Sequence, residues 1–155
     1  MGIERTLLDT RIRHLNLDPA VCVQVTAGVG EALEAMRLVH SGCVLVTEGG
    51  RLAGIFTERD FVTKVAGQDV DAERPVREFM TPDPAALSRD ASLAEAIRLM
   101  DRGGYRNIPL VGEEGVLQGC LSVNQLIDFL AEHYPQEVLA LPPRPDQMLS
   151  EPDGA

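Results

Sequence analysis

Apolar positions along the chain change period several times, and each change marks an element. Leu7, Leu8, Ile12 and Leu15 recur at helical spacing and predict one amphipathic helix over residues 1–16, packed on the core or on a second copy. Asp18-Pro19 then predicts a turn, and the β-branched run over 21–25 a short strand. Ala32, Leu33, Ala35, Met36 and Val39 form a stripe that predicts a helix over 29–39, ended by Gly42. Residues 43–47 and 51–56 read as strands joined across Glu48-Gly49-Gly50 in a hairpin. Helical spacing resumes over 58–66, with Gly67 just beyond as the stop.

The same order then returns after a polar linker. Glu31-Ala32 and Met36 recur as Glu95-Ala96 and Met100, an offset of 95 − 31 = 64. Gly50, Leu52, Gly54 and Thr57 recur as Gly115, Leu117, Gly119 and Ser122, an offset of 115 − 50 = 65. The one-residue change falls at Glu113-Glu114, in the hairpin loop, where insertions are tolerated. Ser92-Leu-Ala-Glu95 is a capping box opening a helix to about Arg102, residues 107–111 and 116–121 are the second hairpin, and 123–133 is the last helix. The class is therefore α/β (α+β): two β-α-β-β-α repeats packed about a pseudo-twofold axis, since halves so small bury too little alone. The expected division is an N-terminal helix (1–16), repeat one (17–67), a linker (68–75), repeat two (76–133) and a Pro-rich tail (134–155).

Candidate chemistry concentrates in Gly54-Ile-Phe-Thr57-Glu-Arg59-Asp60, where a strand becomes a helix. Free N–H groups and the dipole at a helix start favour a phosphate, and a carboxylate can accept from two vicinal sugar hydroxyls. Thr57-x-x-Asp60 is also close to a capping box, in which the same two side chains satisfy orphan backbone donors. Both readings stand on these residues.

Composition narrows the choice of partner. A formal net charge of −10, with Lys64 the single lysine, argues against nucleic acid and against an anionic membrane surface. No window approaches a membrane span, and the N-terminus lacks the order of a signal peptide; the loose myristoylation match of Met-Gly with Thr6 stands alone. Cys22, Cys43 and Cys120 are odd in number and outside any Cys-x-x-Cys pair, which points to a reducing, cytoplasmic home. His14, His40 and His133 form no metal-ligand spacing, and no P-loop, Gly-x-Ser-x-Gly elbow or Gly-x-Gly-x-x-Gly turn is present, so neither a metal, a catalytic cofactor nor an enzymatic activity is expected.

The doubled β-α-β-β-α order, Val76-Arg-Glu-Phe-Met80-Thr81-Pro82, the Glu-Ala-x-x-x-Met helices, Tyr105-Arg-Asn-Ile-Pro-Leu-Val111 and the Gly-hydrophobic-x-Thr-x-x-Asp signature resemble a tandem pair of cystathionine β-synthase (CBS) domains over about 17–133. The resemblance implies a regulatory module that binds AMP, ADP, ATP or S-adenosylmethionine in a cleft between repeats, commonly as a homodimer. Carried onto this chain, it gives Asp60 the ribose hydroxyls and Thr57 the phosphate, with Val21 and Cys43 framing the base. Arg59 and Arg106 are candidate phosphate partners, each with a plainer reading: a solvated helix residue for Arg59, a surface ion pair for Arg106.

The second copy departs from the pattern. Ser122 keeps the hydroxyl, but Gln125 stands where the acid should be. A capping box accepts Gln, whereas a neutral amide forgoes charge-assisted bonds to ribose. One competent site, at Asp60, is expected, and a second that is weak, altered or empty. The leading expectation is a cytoplasmic, non-enzymatic adenosine-compound sensor; the alternatives are a ligand-free homodimeric protein-interaction scaffold, working through its dimer surface or a docking tail at 134–155, and a small nucleotide-processing enzyme.

Overall fold

A computed structural model describes residues 2–17 and 19–135 of the 155. The turn at Asp18-Pro19 falls partly outside these residues, and the tail beyond Pro135 wholly so.

The N-terminal segment is not one helix. Helix α1 (Ile3–Asp9) stops at Thr10, Arg11 forms an antiparallel bridge with Ser92, and Ile12–His14 makes a 3-10 turn. Ile12 donates to Ala91 O at 2.9 Å, and Leu93 donates to Thr10 O at 3.0 Å. The first N–H groups of a later helix lack partners of their own, and here the segment's carbonyl supplies one. Ile12 and Leu15 are buried as expected, whereas Leu8 is exposed.

Strand β1 (Cys22–Gln24) runs parallel to β2 (Cys43–Glu48), which pairs antiparallel with β3 (Arg51–Thr57). Between the last two, Glu48 sits opposite Arg51, and Gly49 and Gly50 both take positive φ (61° and 81°), as the tightest hairpin turns require. Helix α2 (Val29–Leu38) buries Ala32 and Met36 but leaves Val39 exposed. Gly42 does not end it. His40 takes the left-handed conformation (φ 53°), with Ser41 donating to Met36 O and His40 to Arg37 O, the two bonds of a Schellman motif. Gly42 instead offers its carbonyl to Glu58 N at 3.1 Å. Helix α3 (Glu58–Lys64) follows β3 directly.

The lead-in to the second repeat completes the first. Residues Thr81–Pro82 form β4, antiparallel to β3, giving the sheet order β1-β2-β3-β4. Val76 and Phe79 enter the same core as Val23, Val29, Ala32, Met36, Val44, Val46 and Phe56.

In the second repeat, α4 (Leu93–Gly103) is followed by the antiparallel pair β5 (Asn107–Val111) and β6 (Leu117–Ser122), then α5 (Val123–His133). Its expected opening strand shrinks to a single parallel bridge, Leu87 with Leu110, where the first repeat has a full strand. That bridge lies 64 positions on from the Val23–Val46 pair (87 − 23 and 110 − 46), and both hairpins carry a register shift at the equivalent place. The lead-ins match as well: Gly28 bridges Pro75 as Ser92 bridges Arg11, and Val76 donates to Ala27 O as Ile12 donates to Ala91 O. Each repeat's helix is thus met by the segment that opens the other repeat. The chain divides into two compact units after Val123, so α5 from Asn124 onward stands as its own unit.

Candidate functional site

The turn from β3 into α3 is a complete capping box. Thr57 is the N-cap in extended conformation; its Oγ1 accepts from Asp60 N at 3.2 Å, and Asp60 Oδ2 accepts from Thr57 N at 3.0 Å and from Thr57 Oγ1 at 3.1 Å. This satisfies donors that the first helical turn cannot satisfy internally. The local sequence suffices for this much.

The other carboxylate oxygen reaches beyond the helix. Asp60 Oδ1 accepts from Thr81 Oγ1 at 3.1 Å and pairs with Lys64 Nζ at 3.1 Å, while Lys64 also donates to Phe79 O at 3.0 Å. Asp60 is 6% exposed and Lys64 half-buried, so this is a carboxylate withdrawn from water and partnered by Thr57, Thr81 and Lys64. Charges so placed need partners of this kind. Thr81 and the Phe79 carbonyl were not legible as neighbours of Asp60 in the sequence; β4 delivers them by pairing with β3. Gly54 permits that pairing, since a Cβ there would meet the Met80 side chain and Thr81 O at 2.9 Å.

Of the remaining candidates, Cys43 is the cross-strand partner of Thr57 and is buried, and Val21, just before β1, accepts from Leu45 N at 2.8 Å at the same end of the sheet. A hydrogen bond with Cys120 holds the Cys43 thiol below the usual value, against the opposing effect of burial. Arg59 is exposed, as is Arg106. Ser122 closes β6 opposite Asn107, and the Arg106 carbonyl accepts from Val123 N at 2.9 Å, as the Gly42 carbonyl accepts from Glu58 N in the first repeat. The structure therefore brings Thr57, Asp60, Cys43 and Val21 to one end of the first sheet and places Arg106 and Ser122 at the corresponding end of the second. By the repeat offsets, Gln125 stands for Asp60 (125 − 60 = 65) and Leu17 for Thr81 (81 − 17 = 64), so the second end lacks both the acid and the hydroxyl beside it.

Among the described residues, no group of His, Cys, Asp and Glu could hold a metal ion, and no helix is long and apolar enough to cross a membrane. The doubled strand-helix signature, with each lead-in seated on the other repeat, has a counterpart among known families: the pattern of the CBS domain matches residues 12–67 and 76–132. The chain belongs to the CBS-domain family. Both CBS matches begin at the buried residue of a lead-in, Ile12 and Val76.

A 17.7 kDa protein of Acidianus ambivalens is 28% identical to this CBS pair over 118 residues, covering 76% of this chain and 71% of that one. The crystal structure of the CBS-domain protein ATU1752 from Agrobacterium tumefaciens is 29% identical, with a TM-score of 0.68 over 77% of this chain and 98% of its own. The cytosolic domain of the Mg2+ channel MgtE, solved in complex with ATP, is 28% identical, with a TM-score of 0.60 over 72% of this chain and 45% of its own. Several curated relatives are far longer, and the chain spans only 15% to 24% of their length.

Proposed function

We propose that this CBS pair is a regulatory module that binds an adenosine compound, AMP, ADP, ATP or S-adenosylmethionine, at the β3–α3 turn. The observation that carries the reading is the buried Asp60 carboxylate, held at a helix start with one oxygen committed to the cap and the other facing groups from a neighbouring strand. A ribose diol would take the Oδ1 side, displacing the Thr81 hydroxyl and the Lys64 ammonium, while the capping bonds on Oδ2 keep the carboxylate oriented. Thr57 would approach the phosphate. The similarity to a domain solved with ATP supports this class of ligand. Because Thr81 and Lys64 tie α3 to the lead-in of the second repeat, a ligand that displaced them would alter that junction; contacts that differ between states are what let a ligand shift an equilibrium.

Isothermal titration of the four compounds against the wild type and Asp60→Asn tests the assignment. Asn preserves an acceptor for the cap but removes the charge, so micromolar binding should weaken by about tenfold or more. Equal affinity in both proteins would overturn the placement at Asp60. The saturation of Asp60 by the protein's own side chains favours a second reading, a homodimeric scaffold that binds no nucleotide. That reading predicts no heat with any of the four and no shift in melting temperature.

A further inference from the structure

The two sheets meet in a small apolar seam away from the main core. Cys43, Leu45 and Ile55 from the first hairpin are buried there, with Leu52, Leu117 and Cys120 packed against them. The seam is fixed at its other end by backbone pairing between hairpins: Arg51 bridges Val116, and Leu117 donates to Gly50 O at 3.1 Å. Cys43 and Cys120 come from different repeats, 77 positions apart (120 − 43), and their thiols hydrogen-bond to each other. Neither repeat alone contains the pair.

We propose that Cys43 and Cys120 form a reversible disulfide that joins the first sheet to β6, with a small peroxide as the oxidant. The contact makes the two thiols unequal: Cys43 is held below the usual value by the Cys120 hydrogen bond, and the same bond with burial pushes Cys120 well above it. The thiolate is the nucleophile, and Cys43 is assigned that part with Cys120 as its resolving partner. Its sulfur attacks a peroxide oxygen, the O–O bond breaks, and the departing hydroxide leaves as water with the Cys43 proton. The resulting sulfenic acid is met by Cys120, whose sulfur attacks that of Cys43; the S–O bond breaks, and the second hydroxide leaves as water with the Cys120 proton. Two thiols lose two electrons, and one peroxide is reduced to two waters. Cys120 is half-buried and Cys43 nearly closed to solvent, which restricts the oxidant to a small molecule. In a reducing compartment the dithiol is the resting form, and bonds of this kind act as transient signals. Since Cys43 is the cross-strand partner of Thr57, the bond would form next to the Asp60 site, but the inference stands without any ligand reading.

The test uses the full chain carrying Cys22→Ser, which removes the one exposed thiol. Reduced protein is treated with equimolar hydrogen peroxide, unfolded with an alkylating agent, and mapped by mass spectrometry. The expected result is loss of both thiols, a linked peptide pair lighter by two hydrogens, a chain of unchanged mass on a non-reducing gel, and recovery with dithiothreitol. In Cys22→Ser/Cys120→Ser, Cys43 should instead accumulate as sulfenic and sulfinic acid. Both thiols surviving equimolar peroxide, or only chain-to-chain disulfides appearing, would overturn the proposal.

Discussion

Replacing Asp60 by Ala removes more than a candidate ligand contact. The Thr57 N–H loses its carboxylate partner, and the Thr57 and Thr81 hydroxyls lose an anionic acceptor. A hydrogen bond to a charged group contributes roughly 1.5 to 3 kcal/mol, and lost caps alone cost about 1 kcal/mol, part of which is returned because a desolvated charge is no longer held. A net loss of about 2 to 4 kcal/mol follows. Lys64→Met leaves the buried carboxylate its three hydrogen bonds but no counter-charge, so it should cost about 1 to 2 kcal/mol, less than Asp60→Ala because the lysine itself is 41% exposed. Asp60→Asn, which keeps an acceptor for the cap, should fall between the two. Urea unfolding followed by circular dichroism gives all three differences from the midpoints at constant slope. Repeating the series in ligand at about one hundred times its dissociation constant adds roughly 2.7 kcal/mol to any protein that binds and nothing to one that does not. The wild type should gain this stabilisation and Asp60→Asn, binding about tenfold more weakly, no more than about half of it, roughly 1.4 kcal/mol. Asp60→Ala costing no more than Lys64→Met would refute the structural half of the reasoning; equal ligand gains in wild type and Asp60→Asn would refute the binding half.

Gly54→Ala should destabilise by about 1 to 3 kcal/mol in urea, because the added methyl meets Met80 and the Thr81 backbone, whereas the equivalent Gly119→Ala, with only Leu110 Cδ1 at 3.8 Å, should stay within about 1 kcal/mol of wild type. Ile12→Ala and Val76→Ala both empty fully buried positions in equivalent lead-ins; Ile12→Ala should cost about 2 to 5 kcal/mol, and an Ile12 variant unfolding like wild type would exclude the N-terminal segment from the core. Ser92→Ala removes the acceptor of Glu95 N at 3.1 Å and should cost about 1 kcal/mol by thermal or chemical unfolding. Peroxide oxidation of Cys43 should slow less than that of free cysteine in solution when pH falls from about 8 to about 7, since a lowered thiol keeps more of its thiolate than an ordinary one near 8.5; equal slowing would remove the kinetic argument for Cys43 as the attacking sulfur.

Much of this CBS pair is local and was therefore legible. The Gly49-Gly50 turn, the two capping boxes at Thr57 and Ser92, and the alternation of strand and helix all follow from residues within a few positions of one another. The repeat offsets carried further than propensity did, because they fix which positions are equivalent even where the structures differ. They marked Gln125 against Asp60 before any coordinates were needed. Reading residues 1–16 as one helix failed for a definite reason: Thr10 to Ile12 exchange helical bonds for pairing with residues 91 to 93, acceptors and donors eighty positions away that no window can see. Ending α2 at Gly42 failed because His40 adopts the turn a glycine usually takes, leaving Gly42 to accept from Glu58.

The sequence alone thus determined the repeated α/β signature and the pairing of hydroxyl and acid at one helix start, since both are properties of neighbouring residues and their spacing. Only the tertiary structure decided that the lead-ins cross between repeats, that Thr81 and the Phe79 carbonyl share the Asp60–Lys64 pair, and that Cys43 meets Cys120. Those contacts come from strand pairing and core burial between distant segments, where the energy lies in which surfaces meet and not in the order of residues along any one of them.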